Sequence, residues 1–201
     1  MHSLPEPLQA LVDQLSRLPG LGPKSALRMA MTLLKWPEAE TRRLGKSIHG
    51  LRDNLNLCNL CGALTDSDPC PICADPARDP ESLCIVAEWD SMLTIEEGGF
   101  YRGHYLILGG LLSPLDQVQS DSLDIERLNA RLARGATREV ILALGTIVEA
   151  ENTASFLRGL IQRSHPEIHI SRLAQGIPLG AEVKFMDRET LRQSMKYRQN
   201  F

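Results

Sequence analysis

The chain has 201 residues, 43% of them hydrophobic, and a net charge of −3, which suits one medium-sized domain or two or three small ones. It contains no run of 18 apolar residues, so we expect no membrane span. Its first residues lack a basic stretch followed by an apolar run, so we expect no secretory signal and a soluble, cytoplasmic protein.

The charge is unevenly distributed along the chain. Residues 1–56 hold eight Lys or Arg against five Asp or Glu, a net charge of +3, whereas the remaining residues hold 14 against 20, a net charge of −6. A basic end on an acidic body indicates an anionic partner for the N-terminal part. Chance surface charge explains so small an asymmetry equally well.

The N-terminal part is predicted to be all-helical. Apolar residues recur at helical spacing on both sides of a Gly- and Pro-rich turn, and Pro37 is expected to open a third helix over about residues 38–53. The first apolar set is Leu8, Leu11, Val12, Leu15 and Leu18, and the second is Leu27, Ala30, Met31 and Leu34.

The turn between the first two helices has the sequence LPGLGPKS. Gly20 and Gly22 can expose backbone N–H groups, and Pro23 suits the first turn of a helix. Free N–H groups, the positive end of the helix dipole and a cation form an anion site. The candidate DNA-backbone contacts are Gly20, Gly22, Lys24, Ser25 and Arg28.

The same turn resembles a helix–hairpin–helix DNA-binding motif, whose hairpin has the pattern h-x-G-h-G with h apolar. The segment from Leu18 to Gly22 fits this pattern at every position. An ordinary turn between two antiparallel helices is the alternative. We favour binding to the DNA backbone without sequence reading, because phosphate contacts carry no direct sequence information.

Four cysteines follow with the spacing C-x2-C-x8-C-x2-C, namely Cys58, Cys61, Cys70 and Cys73. Two closely spaced C-x-x-C pairs supply four thiolates for one structural Zn²⁺ per chain, and they leave no open position for catalysis. Disulfides and a redox C-x-x-C pair are weaker alternatives in a cytosolic chain. The fifth cysteine, Cys84, is expected to be a buried apolar residue of a strand.

The rest of the chain is predicted to be α/β. Short β-branched runs at residues 83–87, 105–110, 139–144 and 168–173 alternate with helical patterns, which indicates a mostly parallel sheet with helices on both faces. A last helix is expected over residues 187–198, with Asp187 as its N-cap.

Acidic residues follow two of the predicted strands. Glu88 and Asp90 follow the first strand, and Glu149 and Glu151 follow the third. Acidic groups at adjacent strand ends could hold Mg²⁺ for phosphoryl chemistry. For each residue taken singly, a place at a helix terminus or on a solvated face is the better interpretation.

Five motifs in order resemble the RecR family of bacterial recombination mediators. They are LPGLGPKSA, the four-cysteine pattern, ICADPARD, LGGLLSPLD at residues 108–116 and RLAQGIPLG at residues 172–180. The resemblance runs from about residue 8 to about residue 198. It implies a helix–hairpin–helix domain at 1–56, a four-cysteine zinc finger at 57–80, an α/β Toprim domain at 81–175 and a C-terminal helical segment at 176–201.

The family resemblance also implies a function. It implies a non-enzymatic mediator of DNA repair and recombination. It also implies that the protein forms a homo-oligomeric ring (dimer or tetramer) that encircles DNA at the nucleoid. It implies work with RecO, and in many bacteria RecF, in loading RecA onto gapped DNA coated with single-strand-binding protein. By position, Lys24 and Arg28 would contact DNA, the four cysteines would bind zinc, and the Toprim acidic residues would bind RecO.

The chain departs from the Toprim pattern at two places. Toprim enzymes use a glutamate at the end of the first strand, where this chain has Ala87, with Glu88 one residue later. If the strand continues, that slip turns the side chain to the opposite face. An Asp-x-Asp after a later strand is absent, which puts Mg²⁺ binding in doubt. Because the metal-binding carboxylates are incomplete, a Mg²⁺-dependent Toprim nuclease or primase is the alternative function and not the favoured one. A zinc-stabilised scaffold without DNA contact is a third possible function.

Overall fold

The structure is a computed structural model that describes residues 4–113 and 122–198. The chain divides into two compact units, Met1–Leu55 and Asn56–Phe201. Part of the motif at 108–116, the end of the segment at 176–201 and the first residues of the 1–56 domain lie outside the described residues. Among the helices that are described, none is both long and apolar enough to cross a membrane.

The first unit consists of three helices. Its core is formed where the first two helices pack, by Val12 against the small side chains of Ala26 and Ala30. Small residues at this contact allow the two helices to approach closely. The helices are α1 (Glu6–Leu15), α2 (Pro23–Leu33) and α3 (Glu38–His49).

The third helix buries none of its side chains. It ends at His49, four residues before its predicted end, with Gly50 at the C-cap and the Gly50 N–H bonded to the Lys46 carbonyl. Its apolar residues stay on the surface, and the side chain of Ile48 is 68% exposed. The first unit therefore has a small core and an uncovered apolar face on α3.

The second unit is built on a four-stranded sheet in the order β4-β3-β5-β6, and every neighbouring pair is parallel. This confirms the predicted mostly parallel sheet, although the first strand begins four residues before its predicted start. Each parallel connection contains a helix, as parallel strands require. The strands are β3 (Asp79–Val86), β4 (Gly103–Ile107), β5 (Glu139–Ala143) and β6 (His169–Arg172).

Strand β3 lies between β4 and β5, and its second half, residues 83–86, is buried on both faces. Alternate side chains of a strand point to opposite faces, so Leu83 and Ile85 enter one core while Cys84 and Val86 enter the other. This explains why its sequence is a continuous apolar run rather than an alternating one. Cys84 is buried in the strand, as predicted.

Different elements cover the two faces of the sheet. Helices α6 (Ile125–Leu132) and α7 (Val148–Ser164) cover the face of Leu83, through side chains such as Leu128 and Leu157. Helix α5 (Trp89–Glu97) covers the opposite face through Met92, together with the four-cysteine segment. The cysteine segment therefore covers part of a sheet face that helices usually cover in parallel sheets.

The four-cysteine segment contains two short antiparallel strands that the sequence did not predict. They are β1 (Asn56–Leu57) and β2 (Leu64–Thr65), and a single-turn helix α4 (Pro71–Ala74) follows them. The Ile107 N–H donates to the Cys61 carbonyl at 2.8 Å, and Arg127 Nε donates to the Asn59 carbonyl at 3.2 Å. Both bonds attach this segment to the sheet and to α6.

A buried arginine joins the end of the cysteine segment to α5. The Arg78 side chain is only 7% exposed, it forms an ion pair with Glu96, and its Nη1 donates to the Gly103 carbonyl at 3.1 Å. The Tyr105 hydroxyl donates to the same carboxylate at 3.0 Å. The guanidinium of Arg78 holds the pKa of Glu96 below its usual range. Arg78 therefore fixes the C-terminal end of α5.

The C-terminal part ends in a capped helix. Asp187 accepts hydrogen bonds from the backbone N–H groups of Glu189 and Thr190, which confirms it as the predicted N-cap. The helix, α8, spans Arg188–Lys196 and buries none of its side chains.

Replacing Arg78 by alanine should destabilise the second unit by about 3 kcal/mol, because Glu96 would keep its charge without its partner. The Glu96 pKa is lower in the folded state, so the contribution is fully present above the ordinary carboxyl pKa of about 4.3 and disappears as pH falls through the folded value. Denaturant unfolding of wild type and variant, repeated from neutral to acidic pH, measures both effects.

The matched control is Arg192→Ala, since Arg192 pairs with Glu189 on the surface of α8. Exposed ion pairs contribute little, so its unfolding curve should match the wild type. Equal losses in the two variants, or a loss in Arg78→Ala that does not shrink in acid, would contradict this account.

Candidate functional site: hairpin, cysteine cluster and acidic sheet edge

The glycine turn is a tight turn between α1 and α2. The Leu21 N–H bonds to the Leu18 carbonyl at 3.1 Å, with Pro19 and Gly20 at the two central positions. Gly20 has a φ of +78°, the left-handed value that a type II turn requires at its third position. The backbone of this turn therefore demands glycine at position 20.

Gly22 is different, because no contact among the described residues requires it to lack a side chain. It is the N-cap of α2 with an extended backbone (φ −78°, ψ 167°), a conformation that any residue can adopt. A Cβ built on Gly22 would meet no atom of the described residues within 4 Å. The missing side chain leaves open space outside the chain, where a ligand could approach the backbone.

The cations of the hairpin stand at the start of α2. Pro23 is the first residue of the helix, and Lys24 and Arg28 lie one turn apart with exposed side chains. The N–H groups of a first helical turn have no partner within the helix, so those of Lys24 and Ser25 are available to an anion. The glycine turn, the positive end of the α2 helix dipole and the two cations are therefore all found at the N-terminus of α2.

The four predicted cysteines lie together. Their sulfur atoms all lie within 4.8 Å of one another, and Cys61 Sγ and Cys70 Sγ are 3.6 Å apart. A tetrahedral zinc with Zn–S bonds of about 2.3 Å requires sulfur atoms about 3.8 Å apart. Backbone N–H groups also donate to Sγ of Cys58 and Cys70, both at 3.4 Å. This geometry fits a zinc ion.

The thiols influence one another strongly. The hydrogen bond from Cys73 lowers the pKa of Cys61 to about 6. Burial raises the pKa of Cys70 to about 11, and donation to Cys61 raises the pKa of Cys73 above its usual range. The cluster therefore stabilises one thiolate at the expense of the others, and four thiolates together need a compensating cation.

At the carboxyl edge of the sheet, the first acidic pair lies at the start of α5. Strand β3 ends at Val86, so Glu88 is beyond the strand and occupies the N-cap of α5. Asp90 lies in the first turn and accepts a hydrogen bond from the Ser91 N–H at 2.7 Å. Both side chains are exposed. The one-residue slip thus moves a carboxylate from the strand end to a helix terminus.

The second acidic pair lies in the first turn of α7. The Glu151 carboxylate is already bound within the chain. Arg172 at the end of β6 donates to both of its oxygens at 3.0 Å, and Gln175 Nε2 donates to one of them at 3.3 Å. Arg172 also donates to the Tyr197 hydroxyl at 3.1 Å. Glu149 is half-buried, and its carbonyl accepts a bond from Thr153.

Of the predicted site residues, all within the described ranges, the cysteines lie together as one cluster, whereas the two acidic pairs do not form a cluster of ligand atoms. Within residues 4–113 and 122–198, the four cysteines are the only group of three or more His, Cys, Asp or Glu whose ligand atoms lie close together. Arg78 and Arg172, which organise the acidic elements, were not among the predicted site residues. Both lie in motifs quoted for the family resemblance, but the sequence did not indicate which carboxylates they bind.

Comparison with models of known protein families finds matches between residue 8 and residue 199. Four family models match in order: the RecR helix-hairpin-helix over residues 8–51, the RecR four-cysteine zinc finger domain over 55–75, the Toprim domain over 81–174 and the RecR C-terminal region over 176–199.

Curated relatives give the same result. A protein of Nitratidesulfovibrio vulgaris named Recombination protein RecR is 70% identical over 100% of both chains. Proteins of the same name from Maridesulfovibrio salexigens and Syntrophobacter fumaroxidans are 54% and 43% identical, over 99% and 98% of this chain and 99% and 97% of theirs.

The cysteine geometry predicts one zinc per chain with a structural role. Cys70→Ala should abolish zinc binding and lower the thermal midpoint of unfolding, because zinc binding to such a segment is coupled to its folding. Metal analysis of the purified protein by mass spectrometry, together with thermal unfolding, measures both.

Cys84→Ala is the matched control, since Cys84 is equally buried in the same core but is not one of the four ligands. It should keep one zinc per chain. Zinc retained in Cys70→Ala, or lost from Cys84→Ala, would show that the cluster is not the metal site.

Proposed function

Because this chain belongs to the RecR family of recombination proteins, we propose that it is a non-enzymatic mediator of DNA repair and recombination. It holds DNA through its phosphate backbone as a ring-shaped oligomer. With RecO, and with RecF where that protein is present, it promotes loading of RecA onto gapped DNA coated with single-strand-binding protein. It acts in the cytoplasm, on the nucleoid.

The glycine hairpin carries the proposal of DNA binding. Gly22 leaves open space outside the chain that no internal contact explains, next to the N-terminus of α2 and the cations Lys24 and Arg28. A phosphate oxygen could approach the backbone there. Such contacts are independent of base sequence. The net charge of +3 in residues 1–56 supports the same assignment.

The two other sites have supporting roles in this proposal. Zinc holds the four-cysteine segment against the sheet, where hydrogen bonds to Cys61 and Asn59 attach it. The exposed carboxylates of Glu88 and Asp90 are the most accessible of the four acidic candidates and would bind a protein partner. Glu149 and Glu151 contribute less, since Glu151 is already paired with Arg172.

The apolar face of α3 supports a homo-oligomer. On α3, Leu44 and Ile48 lie one turn apart and both are exposed. Trp36, just before the helix, and Leu51, just after its end, are exposed as well. Contiguous exposed apolar surface commonly marks a protein interface. Several linked hairpins would bind DNA more tightly than one by multivalency.

A Mg²⁺-dependent Toprim enzyme is the alternative function. The Glu88 carboxylate lies at a helix N-cap and the Glu151 carboxylate binds Arg172, which favours the mediator. Titratable nicking of DNA that requires Mg²⁺ and disappears in Glu88→Gln or Glu149→Gln would favour the enzyme instead.

Removing both hairpin cations should weaken DNA binding equally on unrelated sequences. Each charged contact to phosphate is worth about tenfold in affinity. Replacing Lys24 and Arg28 by alanine should also reduce the slope of log K against log salt by about two. Fluorescence anisotropy with labelled duplex and single-stranded DNA at several salt concentrations measures both quantities.

The charge-matched control is the double variant Lys184→Ala, Arg188→Ala, in the C-terminal segment. Gly22→Ala is a second variant, which should fold normally and bind DNA less tightly, since its Cβ would fill the open space. If the hairpin variants bind like wild type, or the control weakens binding as much, the hairpin assignment is wrong.

Charges on the apolar face of α3 should dissociate the oligomer. Leu44→Asp with Ile48→Asp should lower the molar mass measured by light scattering, because the face could no longer be buried against another copy. Lys46→Gln, an exposed position on the opposite side of the same helix, is the control and should keep the wild-type mass. A monomeric wild-type protein, or an unchanged mass in the double variant, would contradict the proposal.

A further inference from the structure

An open groove lies on the second unit between the cysteine segment and the carboxyl edge of the sheet. Its volume is about 880 Å³. Large apolar side chains line it from separate elements: Leu57 and Leu64 of β1 and β2, Trp89 of α5, Ile125 of α6 and Phe156 of α7. Three of them are well exposed: Leu57 at 59%, Leu64 at 40% and Trp89 at 37%.

The walls of this groove are held in place by contacts already described. Leu57 and Leu64 are directly opposite in the β1–β2 pair, so both point to the same face of the hairpin. The hairpin carries the Cys61 carbonyl that bonds to Ile107, another lining residue. An apolar site built on attached elements needs little reorganisation to bind a ligand.

The charge around the groove is negative. Glu88 and Glu126 line it with exposed side chains. Among the lining residues that the structure describes, the only cation is Arg127, which is already bound to the Asp124 carboxylate and the Asn59 carbonyl. The second unit as a whole is also acidic. Nucleic acid would be repelled here, so the groove suits a cationic partner.

We propose that this groove binds a segment of a partner protein in which one large apolar side chain is flanked by Lys or Arg. The apolar side chain inserts between Leu57, Leu64 and Trp89, and the cations face Glu88 and Glu126. The inference rests on the proposed function of Glu88 as a partner contact, and it extends that contact to an apolar anchor. In such interfaces charges direct the encounter, whereas a buried anchor supplies most of the affinity.

The chain offers a direct optical test, because it contains two tryptophans. In a Trp36→Phe background Trp89 is the sole tryptophan, and it lines the groove. The probe is a short synthetic peptide with one Phe between two Lys pairs. We expect saturable changes in Trp89 fluorescence with this peptide, and at least about tenfold weaker binding when its Phe is replaced by Ser or its Lys residues by Glu.

Two variants of the protein test the two halves of the site in the same background. Leu57→Ser with Leu64→Ser removes the apolar wall, and Glu88→Lys with Glu126→Lys reverses the charge. Each should weaken peptide binding at least about tenfold. Glu81→Lys is the control, since Glu81 is exposed on the amino-terminal part of β3. Zinc content and unfolding curves should match the parent protein in all three.

Binding of purified RecO, measured with the same variants, separates this inference from the proposed function. Loss of RecO binding in both variants supports the groove. If RecO binding is lost only in the charge-reversal variant, the acidic residues bind the partner but the apolar anchor is wrong. Unchanged RecO and peptide binding in both variants overturns both. A change in Trp89 fluorescence on dilution without peptide would show that a second copy fills the groove, which also overturns the inference.

Discussion

The central position of strand β3 is the constraint on which the second unit depends. Because β3 is paired in parallel on both sides, its alternate side chains must be buried on both faces of the sheet. Leu83 and Ile85 then need α6 and α7 on one face, while Cys84 and Val86 need α5 and the four-cysteine segment on the other. The cysteine segment is therefore part of the core of this unit, and its cysteine cluster packs against one face of the sheet.

The same arrangement explains how the acidic edge is positioned. The carboxyl ends of β3 and β5 lead through short loops into α5 and α7, so the acidic residues at the starts of both helices lie at this edge. Arg78 holds the far end of α5 through Glu96, and Arg172 neutralises Glu151 on α7. Of the four acidic candidates at this edge, Glu88 and Asp90 are the exposed ones, and Glu88 lines the apolar groove. The basic hairpin belongs to the other unit.

Much of this organisation could be predicted from local sequence. The type II turn with Gly20, the zinc-ligand spacing, the N-cap Asp187 and the strand runs are encoded within a few residues of one another, and the structure has each of them. The predictions were wrong at some element ends, such as that of α3, and they missed the small β1–β2 pair, whose two-residue strands carry no periodicity. The exposure of α3 cannot be predicted from local sequence, because apolar spacing on a helix is the same whether the cover comes from this chain or another.

By itself the sequence determined the parts of this protein: the glycine hairpin, the four thiol ligands, the parallel strands and the family to which they belong. These depend on backbone conformation and ligand spacing, which neighbouring residues set. The tertiary structure decided which charges are available, because Arg172 meets Glu151 and Arg78 meets Glu96 only once the strands adopt the order β4-β3-β5-β6. It also decided that Trp89 faces a groove with Leu57 and Leu64, since distant segments form that groove. Ion pairs and cavities between distant segments leave no periodic or spacing signal in a single sequence.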